Sequence, residues 1–237
     1  MPLWLGWALA LLVAAGFARL GVWQLARMHE KERMLANVQE VLAKRVPRPL
    51  SLASSGSRAS DYDWAAGRGR FANAPAVLLD NQSRGDSAGV RAYRLFLPDA
   101  LAAAPLLVEL GWLPLPGDRA MPHVAAIAGD IEVRGLLLPP PSPGLVAATA
   151  NRIPNGEVLA TALDAPELPR LLDVAKLPPR VLRLDPATTN LGYARDLDVL
   201  PNTLPPSRHL GYAVQWFALA AAVLATAAVL TFRKPRA

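Results

Sequence analysis

Two long apolar stretches, one at each end of the chain, constrain this sequence more than anything between them. Residues 210–232 run for about 23 positions without a charge or a proline, and roughly 20 apolar residues cross a bilayer core. Pro205 and Pro206 stand just ahead of that stretch, and Arg233, Lys234 and Arg236 follow it; proline tolerates a helix start but not a helix interior. Residues 3–25 are apolar except for Arg19 and Gln24, and Arg19 is expected to snorkel toward the interface. A cleaved signal peptide is the rival reading of this first stretch, since Gly16-Phe17-Ala18 loosely resembles a cleavage site. The missing positive n-region favours an uncleaved anchor.

Two crossings put both termini on one side and the intervening stretch of about 180 residues on the other. The tail cations favour cytoplasmic termini. Arg27, Lys31 and Arg33, just after the first span, pull the other way, but loops beyond about 60 residues escape that rule, so the tail carries more weight.

The expected fold is a membrane α+β protein, two transmembrane helices flanking a β-rich extramembrane domain built as an antiparallel barrel or sandwich. Its segments are an N-terminal transmembrane helix (1–26), an amphipathic extension (27–48), the β-rich domain (49–207), a C-terminal transmembrane helix (208–232) and a cationic tail (233–237). The extension rests on Met28, Leu35, Val38 and Leu42 recurring among charges at helical spacing. A polar, serine-rich loop covers 51–60. Short β-prone runs at 69–73, 76–81, 90–97, 105–112 and 131–138 are separated by turn signals such as Pro116-Gly117-Asp118. That spacing suggests an antiparallel barrel or sandwich. After a proline-rich break at 139–144, a short helix is expected over 166–175 and a strand over 181–185.

Zero cysteines exclude a disulfide framework, a thiolate metal site and a cysteine nucleophile. The net charge of +6 comes from scattered basic residues, partly at membrane boundaries, and points to anionic lipid or an acidic partner rather than nucleic acid. The middle of the chain offers little chemistry. Asp61 with Asp63, and Arg84 with Asp86, read as solvated turn residues. Ser83, Ser87 and His123 lack a nucleophile elbow, and no phosphate loop, dinucleotide fingerprint or H-E-x-x-H motif occurs. The chain is therefore not expected to be an enzyme, and no catalytic residue is assigned.

The strongest candidate for function is His209, at the mouth of the second span. On a helix His209, Tyr212, Ala213, Trp216 and Phe217 fall at i, i+3, i+4, i+7 and i+8 and share a face. Small Ala213 would leave room beside the rings for a flat apolar molecule. Neutral imidazole is a standard axial ligand of haem iron, so His209 is the one candidate metal ligand, for haem iron only. The competing reading is an interfacial anchor in an aromatic belt. On the first helix Gln24, Arg27 and Lys31 form a polar and cationic stripe that would suit haem propionates or an acidic partner, or anchor the helix among lipid headgroups.

Three motifs together resemble the surfeit locus protein family, whose members are cytochrome c oxidase biogenesis factors. They are Gly21-x-Trp23-Gln24-x-x-Arg27-x-x-x-Lys31 ending the first span, Gly111-Trp112-x-Pro114 after a strand, and His209-Leu210-x-Tyr212-Ala213-x-x-Trp216 opening the last span. The resemblance extends over essentially the whole chain, with departures at Glu30, Leu110 and Arg208. It implies an assembly factor that helps place haem a in the catalytic subunit of cytochrome c oxidase, receiving it from haem a synthase. In this reading His209, Tyr212 and Trp216 bind haem a transiently, Trp23, Gln24, Arg27 and Lys31 contact a partner or the propionates, and Gly21, Gly111 and Trp112 are structural. The alternative is a membrane-anchored scaffold that stabilises an oxidase intermediate without ligating haem. The implied location is the inner (cytoplasmic) membrane, with both termini cytoplasmic and the central domain periplasmic.

Overall fold

The computed structural model describes residues 2–141, 147–188, 191–199 and 204–233. The tail cations Lys234 and Arg236, and residues 142–144 of the proline-rich break, lie outside them. The chain divides into two compact units, Met1–Ala36 with Thr203–Ala237, and Asn37–Asn202.

Steric period dominates the first unit. Along helix α1 (Leu3–Lys44), the residues withdrawn from solvent include Trp7, Ala10, Ala14, Phe17, Gly21, Gln24, Met28 and Lys31. Along helix α3 (Pro206–Phe232) they include His209, Ala213, Trp216, Ala220, Val223 and Ala227. Spacings alternate between three and four, the period of a coiled-coil seam. The seams run antiparallel. Trp7 Nε1 donates to Thr231 Oγ1 at 3.0 Å, Phe17 stacks on Trp216 with centroids 5.6 Å apart, and Lys31 Nζ donates to the Leu204 carbonyl at 2.7 Å. Small residues let the helices approach, as membrane helix pairs require. At Gly21 an added Cβ would lie 2.7 Å from the Phe217 ring. Both helices are long and apolar enough to cross a membrane.

The second unit is a nine-stranded sheet formed by β1 (Arg48–Pro49), β2 (Asp63–Phe71), β3 (Val77–Arg84), β4 (Ser87–Pro98), β5 (Leu106–Pro114), β6 (Asp130–Leu138), β7 (Ala150–Arg152), β8 (Val158–Ala160) and β9 (Val181–Leu184). The long strands β2 to β6 occupy the five expected β-prone runs, with β2 starting six residues earlier than expected. The pairings pass from β2 through β6, β9, β5 and β4 and return from β4 to β2, where Gly69–Phe71 oppose Phe96–Pro98.

The sheet is mixed rather than antiparallel throughout, because β1–β2, β3–β8 and β5–β9 pair in parallel. These parallel partners are two to four residues long and return after intervening excursions of the chain, so no hairpin signal announces them. The expected helix over 166–175 shrinks to one turn, α2 (Leu168–Leu171), since Pro166 and Pro169 confine helix to a start.

Both faces of the sheet are covered. Phe71, Val90, Ala92, Phe96, Val108, Leu137 and Leu182 pack in one core. Trp64, Tyr93, Leu95, Leu107, Leu136 and Val181 pack in the other, with Leu168 and Leu172 near α2 and Val38 from the last turns of α1. Alternate residues of each strand serve opposite faces, so β4 is buried continuously from Val90 to Phe96, with Arg91 and Arg94 buried among its apolar residues.

Candidate functional site

Three and a half residues per seam turn bring Gln24 of α1 opposite His209 of α3, and the two side chains meet. His209 Nδ1 lies 2.8 Å from Gln24 Oε1. An amide oxygen only accepts, so Nδ1 carries the proton and donates, which leaves Nε2 as the nitrogen with the free lone pair. His209 is 9% exposed, and its Nε2 is buried without a hydrogen-bond partner. A buried, unpaired imidazole nitrogen is costly, and its geometry is that of a ligand whose tautomer is fixed from behind.

The other expected site residues divide around this pair. Ala213 is 1% exposed, so its face of α3 is filled by α1 and offers no open space for a flat molecule; the room expected there is taken up by helix packing. Trp216 is stacked on Phe17. Tyr212 and Phe217 lie on the two flanks of the seam and are 39% and 37% exposed. Gly21 is buried against Phe217, whereas Trp23 points away from α3, 53% exposed. Arg27 pairs with Glu30 at 2.8 Å on its own helix, and Lys31 holds the Leu204 carbonyl. The expected stripe is thus split: Gln24 and Lys31 serve the helix pair, and Arg27 remains at the surface.

Gly111 and Trp112 belong to the sheet unit. The β4–β5 register shifts at Ala92/Tyr93, and Gly111 takes φ +131° there, a conformation L side chains resist. A Cβ on Gly111 would lie 2.8 Å from the carbonyl oxygens of Tyr193 and Ala194. Trp112 N donates to the Ala194 carbonyl at 2.8 Å, and Tyr193 N to the Leu110 carbonyl at 2.8 Å. Trp112 Nε1 donates to the Gln82 carbonyl at 3.2 Å. This motif therefore holds the 191–195 segment against β5.

Sequence reasoning missed the buried charges of the sheet unit. Glu109 is fully buried and accepts from Arg91 Nη1 at 2.5 Å, Arg183 Nε at 3.0 Å and Tyr93 OH at 3.1 Å. Burial alone would raise the Glu109 pKa, but the guanidinium groups of Arg183 and Arg91 outweigh it and hold the carboxyl below its ordinary range. Burial, reinforced by Glu109, pushes the Tyr93 phenol well up. Asp63, expected in a solvated turn, is buried and paired with Arg180 at 2.7 Å and Arg58 at 2.9 Å. A sequence signal existed: Val90-Arg91-Ala92, Val108-Glu109-Leu110 and Leu182-Arg183-Leu184 each set one charge between apolar neighbours in a strand. Opposite signs on adjacent strands then announce a buried pair. Among the described residues, no group of three or more His, Asp or Glu side chains is placed to hold a metal ion.

The model of the SURF1 family matches residues 11–221, most of the chain, and so takes in most of α1, the sheet unit and the first part of α3. No curated protein gives a significant match.

Proposed function

Because the chain belongs to the SURF1 family, which is associated with cytochrome c oxidase assembly, we propose that it assists insertion of haem a into the catalytic subunit, with His209 as the iron ligand. The carrying observation is His209 Nε2, buried and unpaired while Gln24 occupies Nδ1. That donor set fits a haem iron: one neutral imidazole nitrogen with a fixed tautomer. Haem a is cargo here, received from haem a synthase and passed on, so a single protein ligand suits release better than two. Tyr212, on the flank of the seam, offers exposed aromatic surface to the ring, and Trp23, exposed on α1, offers it to a partner. Arg27 can exchange its exposed partner Glu30 for a propionate at little cost, since such i,i+3 pairs contribute only about 0.2–0.5 kcal/mol.

The two helices then lie across the inner (cytoplasmic) membrane; their antiparallel pairing supports two termini on one side, and the cationic tail places that side in the cytoplasm on this reading. The sheet unit, whose closed run of pairings we read as a small barrel, lies in the periplasm. The protein works by binding and transfer, not as an enzyme.

A scaffold that holds an oxidase intermediate without ligating haem is favoured by one observation: α1 already fills the Ala213 face of α3. The absorption spectrum of protein purified from haem a-producing cells separates the two. The carrier reading expects a ligated haem spectrum that His209→Ala abolishes. Haem-free wild-type protein that still promotes oxidase assembly, or an unchanged spectrum in His209→Ala, sinks the carrier reading and leaves the scaffold.

A further inference from the structure

The face of α1 turned away from the α3 seam carries Gly16, Arg19, Leu20 and Trp23, which line an open groove of about 330 Å³. Arg19 is exposed and, among the described residues, makes no hydrogen bond or ion pair. Its depth follows from its neighbours: Phe17 stacks on Trp216 and Gly21 abuts Phe217, so Arg19 is level with residues 216–217 of α3. At 1.5 Å per residue that is about 10 Å inside the end of the apolar stretch that begins at residue 210. The snorkelling expected of Arg19 from sequence works against the helix geometry, because side chains of a helix leave the backbone tilted toward its N-terminus. For α1 that direction leads away from the nearer surface and deeper into the apolar layer. An unpaired cation at such depth is costly and marks a site whose partner is missing. Beside it, Gly16 has nothing within 4 Å of where a Cβ would stand, so this chain's own packing does not need a glycine there, while a second helix approaching closely would.

On the membrane-spanning, oxidase-assembling reading above, we infer that this face docks a transmembrane helix of the oxidase catalytic subunit carrying a carboxylate at the depth of Arg19. The carboxylate meets the guanidinium in a bidentate pair, the helix backbone runs over Gly16, and Trp23 covers the outer end of the contact. A lipid phosphate is the poorer complement, since headgroups lie about 10 Å above the Arg19 level by the same helix rise.

The chain has no cysteine, so a single introduced thiol carries a photo-crosslinker to one known place. In membranes of oxidase-producing cells, Gly16→Cys should crosslink to the catalytic subunit, and Val22→Cys, exposed on another face, should not. Adding Arg19→Leu should lower the Gly16 crosslink roughly tenfold or more, the equivalent of one lost paired charge of about 1.4 kcal/mol, while Arg19→Lys should retain most of it. Equal crosslinking from both positions, adducts to lipid alone, or an Arg19→Leu variant that crosslinks undiminished would overturn the docking face. The function it rests on is read separately: if deleting the protein leaves assembled oxidase at its normal level, that reading has failed, whereas a drop in oxidase with no Gly16 crosslink rejects only the docking face.

Discussion

The helix pair and the sheet unit treat buried polar groups in opposite ways. In the sheet unit three buried carboxylates have cations or backbone amides around them: Glu109 has Arg91, Arg183 and Tyr93, Asp63 has Arg58 and Arg180, and Glu157 accepts from the amides of Ala76 and Val124 at 2.6 and 3.1 Å. Among the described residues the Nε atoms of Arg58, Arg91 and Arg180 and Glu167 Oε2 lack hydrogen-bond partners, but the terminal nitrogens of the three arginines are engaged. Among the described residues the helix pair has one buried ionisable side chain, His209, and leaves its Nε2 unpaired. Compensated charge builds a fixed scaffold, while an uncompensated nitrogen is a cost that a bound partner relieves.

The largest effect that can break this comparison is at Glu109. Glu109→Leu strands two buried guanidinium groups and should destabilise the sheet unit by about 3–5 kcal/mol, measured by denaturant unfolding followed through the β signal. The same carboxyl gives a pH dependence of known sign. Its folded pKa is depressed, so its contribution is fully present above the ordinary carboxylate range and is lost as pH falls through the folded value. Unfolding at pH 7 and pH 3 should show wild type losing stability on acidification, with the loss smaller in Glu109→Gln. A variant as stable as wild type would mean that the cluster is not architectural.

Next is the Gly111 bulge. Gly111→Ala combines a positive φ with a Cβ pressed on two carbonyl oxygens, and should cost about 1–3 kcal/mol. Its signature is local: hydrogen exchange should accelerate at the Trp112 amide, which donates to Ala194. Uniform acceleration across the sheet would argue against a role specific to the 191–195 segment.

Legibility in the sequence follows the same division. The two helices and β2 to β6 were readable because each is long enough for its apolar pattern to stand out, and His209 and Gln24 were each visible as polar residues in apolar helices. That they meet was not read, although the three-four seam from Trp7 to Lys31 contains the information; alanine-rich surroundings blur which face is which. Tyr212 was placed with His209 because i and i+3 share a broad face, yet the offset of about 60° at 3.6 residues per turn puts it on the flank. Strand β9 (Val181–Leu184) falls in the expected run 181–185, but β1, β7 and β8 have two or three residues each, too few for a period, and their partners are set by the tertiary return of the chain.

The site itself is sharpened at Gln24. Gln24→Leu removes the acceptor behind Nδ1 but keeps the helix apolar and the Nε2 lone pair available in one tautomer. Loss of such a supporting partner typically costs about 10–100-fold in metal affinity, so haem retention should fall by that factor in titration of the purified protein, and Gln24→Glu should restore it. Equal retention in Gln24→Leu would show that the histidine needs no partner, and would weaken the contrast between the two units.

The smallest effect tests whether the helix pair is held by close packing at all. Gly21→Ala places a methyl group 2.7 Å from the Phe217 ring, which is the far end of a rotatable side chain and can yield. The expected cost is therefore only about 1 kcal/mol, comparable with single interhelical contacts in membrane proteins. Thermal unfolding of the detergent-solubilised protein, followed through the helical signal, should show this loss, and Phe217→Ala in the same chain should recover most of it because the added methyl then meets open space. If both variants instead lose stability additively, Phe217 contributes to the pair independently of Gly21. The seam would then be a set of separate contacts, and Gln24 would be brought to His209 by the ends of the helices rather than by their close approach at Gly21.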